Sequence, residues 1–247
     1  MTYPGGKNAA GVCQRIINHM PPHKVYIEPF LGSGAVLRMK RPAEINIGMD
    51  RSEAALSICL DLAGEKAREF RLIQGNALED LASLGTMVRD SKFIDRPDTL
   101  IYLDPPYLMK TRKSGPFYDF ELSEADHETL LKTVLNAPSM IMISGYRSAL
   151  YDDLLSGFHR IDYQAQTRRG RVAESLWMNF APPTALHDYS HLGDCYRERE
   201  RIKRKKARWA AKFAAMDRRE RLAIMDALVS AESAATPETK TPKGAKR

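Results

Sequence analysis

Five short apolar runs, separated by segments of helical character, constrain the fold of this chain more than any other feature. The runs cover residues 25–27, 45–49, 70–73, 99–103 and 140–144. Between them apolar residues recur at helical spacing, as in Ala54, Ala55, Ile58 and Leu62 behind Ser52, a residue suited to cap a helix. Further helices are predicted over 7–20, 33–40, 77–88 and 123–135, the last opened by Ser123 and Asp126 in the acidic form of a capping box. Strands alternating with helices pair in parallel, so the pattern predicts an α/β protein with an open, mostly parallel sheet. Near residue 160 the pattern changes. Strand-like runs over 158–166 and 172–180 are joined by Thr167-Arg168-Arg169-Gly170-Arg171, a hairpin that makes one edge of the sheet antiparallel. Ala181-Pro182-Pro183 then ends the body, so residues 1–183 are expected to form one domain.

Charge divides the chain the same way. Residues 197–247 hold 16 Lys and Arg against 7 Asp and Glu, whereas residues 1–196 hold 22 against 24. The body is nearly neutral, and the net charge of +7 belongs to a basic helical extension over 184–232, an arm suited to a polyanion such as nucleic acid. Ile202, Trp209, Phe213 and Met216 fall on one face of it, and Leu222, Met225, Leu228 and Val229 form a second stripe; a helix pair and one long helix fit equally well. The rival use of these stripes is docking on the body or pairing two copies as a homodimer. Residues 233–247 have almost no apolar content and are expected to be disordered.

No apolar stretch approaches the roughly 20 residues that span a bilayer, and the first residues lack a signal-peptide pattern, so a cytoplasmic protein with no membrane partner is expected. Cys13, Cys59 and Cys195 lie far apart with no CxxC, and His23, His127, His159, His187 and His191 show no ligand spacing. No metal is expected, and these histidines read as surface or structural residues.

Three constellations carry chemistry. Glu28-Pro29-Phe30-Leu31-Gly32-Ser33-Gly34 follows the first strand, where glycines let the backbone pass close to a ligand. Leu37 stands where a dinucleotide fingerprint has its third glycine, and the Lys-Ser/Thr of a phosphate-binding loop is absent. Asp50, at the end of the second strand, either accepts hydrogen bonds from ribose hydroxyls or caps the turn before Arg51-Ser52. Gly75-Asn76-Ala77 ends the third strand, where Asn76 either reads an adenine edge or caps the next helix. Asp104-Pro105-Pro106-Tyr107 ends the fourth. An ionised carboxylate and proline carbonyls only accept hydrogen bonds, so this site matches a planar amine with two N–H donors and an aromatic face for Tyr107 to stack on.

Tyr3-Pro4-Gly5-Gly6-Lys7, the Glu28–Gly34 segment and the Asp104 tetrad, in this order, resemble the Dam-type adenine-specific DNA methyltransferases. The likeness runs from residue 2 to about 180, through Phe117-Tyr118, Asp126-His127 and the 174–179 strand. It implies a Rossmann-like sheet with an antiparallel edge hairpin, S-adenosylmethionine as methyl donor and N6-methyladenine in DNA as product. It implies a donor site of Tyr3, Gly5, Gly6, Lys7, Glu28, Phe30, Gly32, Gly34, Asp50, Asn76 and Ala77, and catalysis by Asp104, Pro105, Pro106 and Tyr107. Lys7 would also face DNA. Two features depart from the family pattern. Only 28 positions separate Asn76 from Asp104, which leaves little room for the family's target-recognition segment, and Asn76 stands where members commonly carry Asp.

The expected partner is double-stranded, adenine-containing DNA, in a bacterium or a phage-infected host cell, with a short or relaxed target context. Arg112, Lys113 and Tyr118 after the tetrad, and Arg168, Arg169 and Arg171 at the hairpin, are the expected DNA contacts of the body. The same chemistry on RNA adenine or cytosine N4 is the nearest alternative. A catalytically silent nucleic-acid-binding protein is another.

Overall fold

The computed structural model describes residues 7, 11–81, 96–112, 119–167 and 170–235. The chain divides into two compact units, Met1–Cys195 and Tyr196–Arg247. Seven strands build the first: β1 (Val25–Glu28), β2 (Ile45–Asp50), β3 (Arg71–Gln74), β4 (Thr99–Leu103), β5 (Met140–Gly145), β6 (His159–Thr167) and β7 (Gly170–Met178). They form one sheet in the order β3-β2-β1-β4-β5-β7-β6. Strands β1 to β5 pair in parallel, and β7 runs antiparallel between β5 and β6. The expected Rossmann-like sheet with an antiparallel edge is therefore present.

Side chains alternate across the sheet with a period of two. Val25, Ile27, Ile47, Ile101, Leu103, Ile141, Ile143 and Trp177 pack on one face. Tyr26, Leu100, Tyr102, Met142, Leu176 and Met178 pack on the other. Burial on both faces is why the strands read as nearly unbroken apolar runs. Helix α5 (Glu124–Leu135) covers the first face with Leu130, Leu131 and Val134, and its capping box forms as expected. Helices α1 (Val12–Ile17), α2 (Ala35–Met39) and α3 (Glu53–Ala63) serve the second. Helix α4 (Ala77–Asp80) follows β3, and residues beyond Leu81 of the helix expected over 77–88 lie outside the described residues. Helix α6 (Ala149–Leu154), capped by the Ser148 side chain, was not expected.

Two boundaries differ from expectation. Helix α1 is shorter than 7–20, starting after Gly11 and stopping at Asn18, whose side-chain amide donates to the carbonyls of His191 and Gly193. The first unit also runs to Cys195 and does not end at residue 183. The added segment is tied to the body: the His187 amide donates to the Met20 carbonyl, and Asp188 accepts from the Arg41 amide. These bonds hold to the body a polar stretch that the Ala181-Pro182-Pro183 break alone assigned to the arm.

In the second unit the helix pair forms, as α7 (Tyr196–Ala214) and α8 (Arg218–Ala235). Asp217 separates them and caps α8 by accepting from the amides of Arg219 and Glu220. Helix α8 extends into the tail expected to be disordered, of which 236–247 lie outside the described residues. No helix among the described residues is long and apolar enough to cross a membrane.

Gly34 shows how tightly the turn after β1 is built. Its φ is 64°, and a Cβ there would lie 2.4 Å from the Cys59 sulfur on α3. Gly34→Ala should cost about 1–3 kcal/mol from the left-handed backbone, with the clash in addition. In urea unfolding, the loss should be smaller in a Cys59→Ala background, where the clash is gone and the strain remains. Wild-type stability in Gly34→Ala would contradict this packing.

Candidate active site

The sheet order reverses between β1 and β4, and ligands of open parallel sheets bind beyond the strand ends at such a switch point. A cleft open to solvent lies there. Lys7, Glu28, Phe30, Gly32, Asp50, Asn76, Ala77, Asp104 and Pro106 all line it, so residues from four strand ends meet in one place. Gly34 adjoins as the cap of α2, while Pro105 and Tyr107 are buried beside it. Tyr3, Gly5, Gly6, Lys113, Tyr118, Arg168 and Arg169 lie outside the described residues.

At the β2 end of the cleft, Asp50 binds the glycine turn itself. One oxygen accepts from the Gly32 amide at 2.7 Å and the other from the Ser52 amide at 2.9 Å. Burial raises its pKa, and the backbone N–H donors offset only part of the effect. Asn76 takes the capping role: its Oδ1 accepts from the Leu78 amide and its Nδ2 donates to Glu79 at 2.6 Å. Arg51 stacks over the Phe120 ring at 4.6 Å, and both line the cleft between Asp50 and Asp119. Deeper, the buried Glu28 accepts from the Tyr26 hydroxyl and the Leu37 amide, each at 3.0 Å. Burial nevertheless pushes its pKa up to about 8, so it is mostly protonated at neutral pH.

At the β4 end the buried Lys7 ammonium lies 2.9 Å from Asp104 Oδ1 and 3.3 Å from Glu174 Oε2, and donates to the Tyr107 hydroxyl. That hydroxyl donates to Glu174 Oε2 at 3.2 Å, as does Tyr163. Burial opposes the ammonium, but Asp104, Glu174 and Tyr163 together outweigh it and hold the Lys7 pKa well above the ordinary lysine value. Burial lifts the Asp104 pKa to about 6 although Lys7 pulls the other way, so the carboxylate is ionised at neutral pH. The Tyr107 ring is set edge-on against Tyr146, with centroids 4.5 Å apart.

Glu174, Tyr163, Tyr146 and Phe120 were not singled out from sequence. The available signal for Glu174 was an acid within the otherwise weakly polar run Val172-Ala173-Glu174-Ser175-Leu176. His127 is structural, as expected: it is fully buried and hydrogen-bonded to the Tyr151 hydroxyl, and burial lowers its pKa to about 4. The Arg112 guanidinium is buried, pairs with Glu121 and also touches the Met109 sulfur. Arg171 is exposed on β7.

No protein-family model matches the chain. Among solved structures it is similar to TrmN from Thermus thermophilus, with 17% identity and a TM-score of 0.47 over 70% of this chain and 49% of that one. An rRNA methylase from Streptococcus thermophilus gives 13%, 0.45, 67% and 93% in the same order. Precorrin 8w decarboxylase from Methanobacterium thermoautotrophicum gives 14%, 0.44, 72% and 94%. All three scores fall below 0.5.

Removing the Lys7 charge should raise the Asp104 pKa above about 6, because the attraction of the ammonium is what restrains it. Carbon-13 NMR of labelled aspartate carboxyls in Lys7→Met reads this directly, and a fall in the pKa would contradict the assignment.

Proposed function

We propose that this protein is an S-adenosylmethionine-dependent methyltransferase acting on the N6 amino group of adenine in DNA. The observation that carries the proposal is one continuous cleft, running from the glycine turn and Asp50 to an ionised Asp104 beside paired prolines. The residues suit the donor. The turn has no Cβ at Gly32 or Gly34, and Asp50 lines the cleft beside it, placed for a ribose. When bound, the donor supplies a methyl group on a sulfonium and leaves as S-adenosylhomocysteine.

The chain's own contribution is positioning and charge. The target nitrogen lies inside the duplex, so the base must be flipped out, at a cost of about a few kcal/mol. Asp104 and the Pro105 carbonyl accept the two amino hydrogens. The lone pair, otherwise delocalised into the ring, is then available on nitrogen. Asp104 is the nearest acceptor for the proton that the methylated amine sheds. Carboxylate and carbonyl recognise an amino group and not a polymer, so RNA and cytosine N4 are direct competitors to be tested beside DNA.

Asp104→Ala should lower methyl transfer at least about a hundred-fold while donor affinity stays near wild type. Asp104→Asn should also be severely impaired, because an amide presents donors as well as an acceptor. Asp50→Ala should weaken donor binding by about ten-fold or more through lost hydrogen bonds. Tritium transfer to DNA and RNA oligonucleotides in parallel, with calorimetry for the donor, reads all three variants. Near-wild-type turnover in Asp104→Ala would overturn the mechanism, and transfer to RNA alone would reassign the substrate.

For the arm, Arg197, Arg201, Arg204 and Arg208 fall at i, i+4, i+7 and i+11, one basic face of α7. Residues 197–221 carry 12 basic and 4 acidic groups, suited to phosphate contacts that release counterions. Truncation after Cys195 should weaken DNA binding and flatten its dependence on salt while leaving donor affinity unchanged. Equal affinities and slopes in two folded proteins would remove the arm from DNA binding and leave its apolar stripes as the reason for its presence.

A further inference from the structure

The Lys7 ammonium stands where a target amine would have to go. It is a nitrogen with N–H donors, 2.9 Å from the Asp104 carboxylate and 4.7 Å from the Tyr107 ring centroid. An exocyclic amino group that takes Asp104 Oδ1 as its acceptor meets the ammonium already there. The two nitrogens then compete for that oxygen. We propose that Lys7 is a resident stand-in for the target amine, and that Glu174 is the seat to which it withdraws when a base arrives. The proposal rests on reading Asp104 as the amine acceptor.

Glu174 is built for that role. Its Oε2 already lies 3.3 Å from the ammonium, so a small rotation of the lysine side chain completes the transfer. The Tyr163 and Tyr107 hydroxyls, both at 3.2 Å, fix the carboxylate in place. The ammonium stays paired throughout, which avoids the large penalty of a bare buried charge. The stand-in has two consequences. It keeps a buried carboxylate ionised before substrate arrives, since burial alone drives Asp104 toward protonation. It also screens bases, because a base without an amino group offers Asp104 nothing in exchange for the ammonium. Thymine and uracil are of that kind.

Binding to oligo(dA) and oligo(dT) by fluorescence anisotropy isolates this effect. Saturating S-adenosylhomocysteine prevents turnover, and pH 9 keeps Asp104 ionised. Single strands spare the flipping penalty, and phosphate contacts affect both oligonucleotides alike. The ratio of their dissociation constants therefore reports the amine seat. Glu174→Gln leaves Lys7 with Asp104 as its one charged partner and should cut the preference for oligo(dA) by about ten-fold, the scale of one charge-assisted hydrogen bond. Lys7→Met combined with Glu174→Gln should restore it. An unchanged ratio in Glu174→Gln, or a double variant as poor as the single, would overturn the stand-in. A merely structural Glu174 would give the second result. Asp104→Ala separates the underlying reading: if wild type and Asp104→Ala share the same ratio, Asp104 is not the amine acceptor, and the stand-in falls with it.

Discussion

One ammonium and two carboxylates are buried together at the carboxyl edge of the sheet, and the architecture of the site depends on that cluster. Lys7, Asp104 and Glu174 come from the N-terminal segment, the end of β4 and the antiparallel β7. Burying any one alone would be prohibitive, and removing one partner from a buried group of this kind typically costs about 3–5 kcal/mol. The Tyr107 and Tyr163 hydroxyls both donate to Glu174 Oε2. The cluster thereby ties three distant parts of the chain together and holds a carboxylate ionised in a place where burial disfavours it.

The sheet supplies the platform. Because its order reverses between β1 and β4, the glycine turn and the Asp104 loop face each other across a gap that no strand fills. Asp50 then fixes the width of the turn by holding Gly32, while Glu28 anchors the first residues of α2 from below. These bonds are made by the backbone and by buried acids, which gives the Asp50 end of the cleft a rigid frame. The Asp104 end is made of longer side chains, Lys7, Glu174 and Tyr107.

Much of this was legible in the sequence because strand ends carry their chemistry locally. The glycine turn, Asp50 and Asp104 each follow directly from a recognisable apolar run, and all three line the cleft. Asn76 was ambiguous for a local reason: a residue that can read a base edge is also a good helix cap, and here it caps. Glu174 was not legible. It lies 70 positions from Asp104, and only the register Tyr163↔Glu174, with β7 packed beside β5, turns it toward Lys7. Arg112 reads as a free basic residue until Glu121, nine positions on, is seen to hold it. The end of the first unit was misplaced because its last residues are polar, and polar residues that bond to the body look the same in sequence as those that face water.

The central claim is that Asp104 presents an adenine amino group for methylation in DNA. It is tested most directly by digesting DNA from cells that express the protein to nucleosides and measuring N6-methyldeoxyadenosine by mass spectrometry. Cells expressing Asp104→Ala serve as the control, in a host that lacks the modification. The account predicts N6-methyldeoxyadenosine with the wild type and none with the variant. Its absence from wild-type DNA when the methyl mark is found in RNA or on cytosine N4, or equal levels with Asp104→Ala, would contradict it.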